Sequence, residues 1–414
     1  LLLLSAGSIA QPQGATDPSS DKLQIEIDRI LKVDQGAIAE TEEAVQLFGR
    51  IEELVLGLAR VGDFETARAL AKKGAVLFPE ERRSLVLLGW TEGLAGRYEG
   101  AIDITRSALG APSNRLPDPD DAALRNAETN LAGFLIHEGK QKEALELLEL
   151  AAQQGSDLGA TQYLLGQAYF ELGEPYLSAK AYERALREAE GLATPEDYFR
   201  YATALDRMGK LDRAAKTLQT GIKNLPNASG LYVNLGLNAE ARGATPEAYL
   251  HYWMETEVSG PDSPFSQAAA QRIGRIETLQ SKSSFPDVSL QSLIAYLNLQ
   301  RQKTNPENTD SEIDAKIEKA YAVVFEIKWP EHPLLELLQA EFQTSAEASD
   351  EAIEILEEAR EKYPNQVLFT LELAKVYGEI GDASKSDALI RDGLLNAPDH
   401  WKVQRMIGPS LPSN

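Results

Sequence analysis

A glycine recurs in phase along this chain, each time five positions before a small residue. The copies are Gly62 with Ala67, Gly96 with Ala101, Gly139 with Ala144, Gly173 with Ser178, Gly209 with Ala214 and Gly243 with Ala248. Gly62 and Gly96 stand 34 positions apart, as do Gly139 and Gly173, Gly209 and Gly243, and Pro364 and Pro398. A fixed period of roughly 20 to 50 residues marks a stack of similar supersecondary units, each burying its apolar face against the next. The 414 residues would otherwise suggest two or three compact domains. A stack grows without adding separate cores.

The residues around each glycine describe a pair of helices. Ile51, Leu54, Val55 and Leu58 repeat at helical spacing ahead of Gly62. Seven positions before a turn glycine comes another small residue: Gly89, Ala132, Gly166, Ala202 or Gly236. Facing Ala101, Ala144, Ser178, Ala214 and Ala248, these let two helix backbones approach closely. The turn glycine supplies the positive φ that ends the first helix. Ala108, Ala151 and Ala185 admit the following unit, and Pro79, Pro226, Pro364 and Pro398 end the second helix, because proline has no N–H to donate.

This set of landmarks resembles the tetratricopeptide repeat, over 48–262 and again over 333–398. The resemblance implies an all-α fold, a right-handed superhelical solenoid of antiparallel helix pairs with about eight to nine units, some degenerate. The regions read as a signal-peptide remnant at 1–10, a disordered segment at 11–20, N-terminal helices at 21–47, six repeat units at 48–262, degenerate helical units with a polar loop at 263–332, two further units at 333–400, and a capping helix and tail at 401–414. The step from Gly96 to Gly139 is nine residues too long, and the excess lies in the proline-rich run from Ala111 to Asp120.

The first sixteen residues carry no charge. Leu1 to Leu4 precede Ser8-Ile9-Ala10, whose small residues occupy the two positions that a signal peptidase reads. The expectation is export to the periplasm or outside the cell after cleavage before Gln11; the alternative is a membrane-anchored form. No stretch of the mature chain approaches the ~18 apolar residues of a membrane span.

Chemistry is sought without success. The chain has no cysteine, which removes disulfides, thiolate metal sites and cysteine nucleophiles. His137, His251, His332 and His400 are scattered; His137-Glu138 begins a zinc-protease pattern, but Gln141 takes the place of its second histidine. Gly133 to Lys140 resembles a phosphate loop but fails on spacing and on Gln141. No catalytic residue, cofactor or metal site is expected, and the chain reads as a non-enzyme. The 64 Asp and Glu against 41 Lys and Arg give a net charge of -23, which repels phosphate backbones and disfavours nucleic acid.

The resemblance implies a protein or peptide partner held in a concave groove lined by the first helices of each pair. Groove positions of the family fall on Tyr163, Gln167, Phe170 and Glu171, then on Phe199, Thr203, Asp206 and Arg207. Trp90 and His137 hold equivalent places in earlier units. The Lys and Asn pair with which some family members clamp a C-terminal carboxylate has no counterpart here. The leading function is an interaction scaffold of the cell envelope. The alternatives are a receptor for a peptide, glycan or small molecule in transport, and a cytoplasmic regulator.

Overall fold

The computed structural model describes residues 18–33, 41–79, 81–110, 121–153, 158–305, 308 and 310–407. The leader at 1–10, most of the segment read as disordered, the insertion at 111–120 and the tail after Ile407 lie outside the described residues. Among the described residues the structure is helical, with no strand. It divides into two compact units at Met208 and Gly209.

The first unit holds α1 (Pro18–Leu31), α2 (Thr41–Arg60), α3 (Phe64–Leu77), α4 (Arg82–Leu94), α5 (Tyr98–Gly110), α6 (Asp121–His137), α7 (Gln141–Gln153), α8 (Leu158–Glu171), α9 (Pro175–Ala189) and α10 (Pro195–Arg207). From α2 to α10 each helix packs on its sequence neighbours, α1 packs on α3, and α4, α6, α8 and α10 also touch in succession. One core joins α1 to α4 around Ile51, Val55 and Leu70. Another joins α5 to α9 around Ile102, Leu135 and Leu148.

The turns explain the period. Gly62, Gly96, Gly139, Gly173 and Gly243 all adopt positive φ. After each, the next N–H donates to the carbonyl five residues back: Asp63 to Leu58, Arg97 to Glu92, Lys140 to Leu135, Glu174 to Tyr169, Ala244 to Ala239. This bond closes a helix end and reverses the chain. Two further turns obey the same rule. Gly381 stands at φ 86 with Asp382 donating to Tyr377, and Glu347 stands at φ 60 with Ala348 donating to Gln343. Glu347 and Gly381 are 34 apart, so the phase runs through a position where no glycine marks it. The small residue five positions on is fully buried at Ala67, Ala101, Ala144, Ser178, Ala214, Ala248 and Ala352. Ser178 uses its hydroxyl to bond the Gly166 carbonyl at 2.9 Å, as Ser386 bonds that of Ala374 at 2.8 Å.

The second unit holds α11 (Leu211–Asn224), α12 (Leu231–Ala241), α13 (Thr245–Ser259), α14 (Pro264–Lys282), α15 (Val288–Lys303), α16 (Ile313–Glu326), α17 (Pro333–Ser345), α18 (Ser349–Lys362), α19 (Val367–Glu379), α20 (Ala383–Asn396) and α21 (Trp401–Ile407). Here the chain also folds back on itself. One core runs from α12 to α19. In it Tyr296 is fully buried and Tyr321 stacks on Phe342 at 3.7 Å. The loop after α11 meets the loop after α18: Asn227 Nδ2 donates to the Asn365 carbonyl, Val367 N–H to Asn227 Oδ1, and Gln366 Nε2 to the Pro226 carbonyl. The Trp401 indole N–H donates to the Glu257 carbonyl at 2.9 Å, and its ring covers Gly260. Residues after 332 are therefore built into the fold of 226–260. The reading that each unit touches only its sequence neighbours does not hold in this part of the chain.

Candidate functional site

Of the family's groove positions, the structure gathers one group at the C-terminal ends of α6 and α8 and along α10. Phe170, on the last turn of α8, meets Phe199 of α10 edge to face at 6.4 Å. The Arg207 guanidinium lies 4.9 Å over the Phe170 ring, an arrangement that favours a cation over a π face. Both phenylalanines are half-buried, while Arg207 and Glu171 are exposed.

Glu171 is held in place by amides. Gln141 Nε2 donates to one carboxylate oxygen at 2.6 Å and Gln167 Nε2 to the other at 3.0 Å. Neither amide neutralises it, so a fixed negative charge stands beside the aromatic pair. His137, ending α6, stacks on Tyr98 at 4.4 Å with rings 3° from parallel. Burial holds its imidazole below the ordinary value, against the pull of Glu171; the ring is neutral at pH 7. Thr203 and Asp206 line α10 half-buried. Together these residues present two aromatic edges, a stacked imidazole, a guanidinium and a carboxylate on one face.

Tyr163 and Trp90 are not on that face. Tyr163 is 6% exposed, donates its hydroxyl to the Ala189 carbonyl at 3.0 Å and packs on Tyr182. Burial raises its pKa. Trp90 is 7% exposed inside the α1–α4 core. Family register assigned both to the groove, but the side chains of adjoining helices cover them. Gln141 and Tyr98, at the starts of α7 and α5, also belong to this face although they sit on second helices outside the family's groove positions. Their signal was the turn itself, which places the start of a second helix beside the end of the first.

In the second unit a cavity of about 520 Å³ opens between α18, α19 and α20, lined by Arg360, Tyr363, Gln366, Thr370 and Asp392. Arg360 and Asp392 pair across it at 3.3 Å. Among the described residues no cluster of three His, Asp or Glu side chains is placed to hold a metal ion, and no helix is long and apolar enough to cross a membrane.

A sequence profile of the Tetratricopeptide repeat family matches residues 53–115. No curated protein matches the chain. Among solved structures, MamA is similar at 20% identity, over 46% of this chain and 97% of that one, with a TM-score of 0.34. YrrB, described as a TPR protein with an unusual peptide-binding site, is similar at 18% identity, over 49% and 96%, with a TM-score of 0.38. PilF of Pseudomonas aeruginosa is similar at 16% identity, over 57% and 98%, with a TM-score of 0.46. The matched profile runs from the end of α2 through α3, α4 and α5, and the same turn geometry and small-residue packing recur in both units: the fold is that of the tetratricopeptide repeat.

Proposed function

We propose that this protein is a non-catalytic scaffold that holds a peptide segment of a protein partner on the face formed by the ends of α6 and α8 and by α10. The observation that carries the reading is the Phe170–Phe199–Arg207 cluster beside the pinned Glu171. Aromatic and arginine side chains dominate binding hot spots, and a half-buried ring gains most when a partner completes its burial. A fixed carboxylate next to exposed arginine favours a segment that carries both a cation and an apolar side chain. The net charge of -23 adds a long-range preference for basic partners.

The reading extends to location. The uncharged start and Ser8-Ile9-Ala10 support export and a mature N-terminus at Gln11, which the intact mass of the secreted protein tests.

The site is tested by Phe170→Ala and Phe199→Ala, each measured for melting temperature and for capture of partners from native membranes identified by mass spectrometry. Loss of capture at little-changed melting, equivalent to ~2 kcal/mol or more of binding, is the expected result. Full capture by both variants would remove the site.

A further inference from the structure

Within the second unit, α13 and the start of α17 are joined by two buried histidines whose protons have one possible arrangement. The Leu334 N–H donates to His332 Nδ1 at 3.2 Å, so that nitrogen is unprotonated and the ring's proton sits on Nε2. Nε2 lies 2.9 Å from His251 Nδ1, which must therefore accept. The proton of His251 is then on Nε2, 3.6 Å from Glu247 Oε1. His251 and then Arg242 hold that carboxyl down to about 2, so it stays charged.

The donors run in one direction, and the chain ends at His251 Nε2, which is buried, makes no hydrogen bond and has only the longer contact with Glu247. A further proton on His332 Nδ1 would point at the Leu334 N–H and remove the cap of α17. One on His251 Nδ1 would point at the His332 N–H. The rings are 6% and 4% exposed, so water cannot absorb the charge. The titratable and charged groups around the pair are Tyr232 of α12, whose ring meets both imidazoles, Arg242 just beyond the end of α12, and Glu247 of α13; no charged group but His251 acts on His332.

We propose that the His251–His332 pair is an acid-sensitive latch, and that its protonation makes the opening of α17 from α13, which exposes the apolar faces buried between them, more frequent. Burial holds both rings below the ordinary histidine value. The closed form is therefore fully favoured above about pH 6.5 and loses ground as the pH falls below it. The same contact contains a group of opposite sign. Burial, then Glu372 and Glu257, raise Glu341 of α17 to about 7; it binds its proton more tightly when closed, so acidification strengthens closure there.

The two effects separate in magnitude. With open-state histidines near pH 6.5, a change from pH 7.5 to 5.5 favours opening by up to about tenfold for each ring and up to about a hundredfold for the pair, the limit when neither closed ring takes up a proton. Glu341 opposes this by up to roughly 25-fold, the limit when opening frees it from Glu372 of α19 as well as from Glu257 of α13, and about a fourfold net opening remains when both limits are reached.

The test is hydrogen–deuterium exchange of the full chain at pH 7.5 and 5.5, corrected for intrinsic rates, over 230–258 and 332–342. Wild type should exchange a few-fold faster at pH 5.5. Glu341→Gln removes the opposing group and should exchange up to about a hundredfold faster. His251→Gln with His332→Asn keeps acceptors in place and should show no acceleration. A Glu341→Gln response no larger than wild type, or an equal acceleration in the double variant, overturns the proposal. Histidine ring titration of the wild-type chain by NMR decides the matter without any variant. Both rings titrating below pH 6 supports the latch, and either titrating at the ordinary value overturns it.

Discussion

Glu255 should be among the most costly residues to replace in the second unit. It is completely buried in α13, yet its carboxylate caps a different helix. One oxygen accepts from the Gly230 N–H at 2.7 Å and the other from the Val233 N–H at 2.9 Å, while Ser259 Oγ donates to the first. Gly230, at φ 92, is the residue preceding α12 and has no side chain to cap the helix itself. Glu255→Ala leaves two buried amides without acceptors. Hydrogen bonds to a charged group contribute about 1.5–3 kcal/mol each, and a carboxylate at a helix N-terminus gains further from the dipole. Against this, burial raises the pKa of Glu255 even with these donors around it, so removing the charge recovers part of the loss. The expected net cost is about 2–4 kcal/mol. Glu255→Gln keeps one carbonyl oxygen but turns an NH2 towards the second amide, and should cost about 1–2 kcal/mol. Urea denaturation followed by circular dichroism measures both, and amide exchange at 230–234 localises the effect. A Glu255→Ala cost below about 1 kcal/mol would show that water or local refolding satisfies these amides, and the capping argument would fail.

Gly93→Ala should destabilise by about 1–3 kcal/mol, because its Cβ would lie 2.1 Å from the buried Phe134 ring. Gly100→Ala, on the exposed side of α5 with open space around it, should stabilise by about 0.5–1 kcal/mol in the same thermal melt. Tyr163→Ala should lower stability by ~3–5 kcal/mol as a core truncation; a loss of partner capture at unchanged melting would instead return it to the binding face. Removal of 333–414 should abolish protection of amides in 211–260 while α2 to α10 stay helical, and unchanged protection in 211–260 would contradict the packing of Gln366 and Trp401 on that segment. No binding of single- or double-stranded DNA should appear in a polarisation assay at physiological salt, given the net charge of -23; micromolar affinity would refute this.

The repeat was legible because its turn is a local requirement. A backbone that must reach positive φ selects glycine, and a helix pair in close contact selects alanine or serine, so Gly96 with Ala101 and Gly173 with Ser178 announce themselves. Glu347 breaks that code. The Gln343 carbonyl and the buried Ala352 around it hold the same turn through packing, with a side chain that strains the backbone. In the second unit the fold-back contacts of Asn227 with Asn365, and of Trp401 with Gly260, join residues about 140 apart. Neither shows any periodicity.

The same division runs through the candidate site. Tyr163 and Phe170 stand two turns apart on one face of α8 and read alike in the repeat pattern. Ala189 and Tyr182 cover the first, while the second keeps a half-exposed ring under Arg207. The order of residues determined that this chain would stack helix pairs, because helical periodicity and turn geometry are properties of neighbours in sequence. Which rings are buried, which carboxylate caps a foreign helix and which histidines share a proton path depend on side chains brought together from distant helices, and only the tertiary structure decided them.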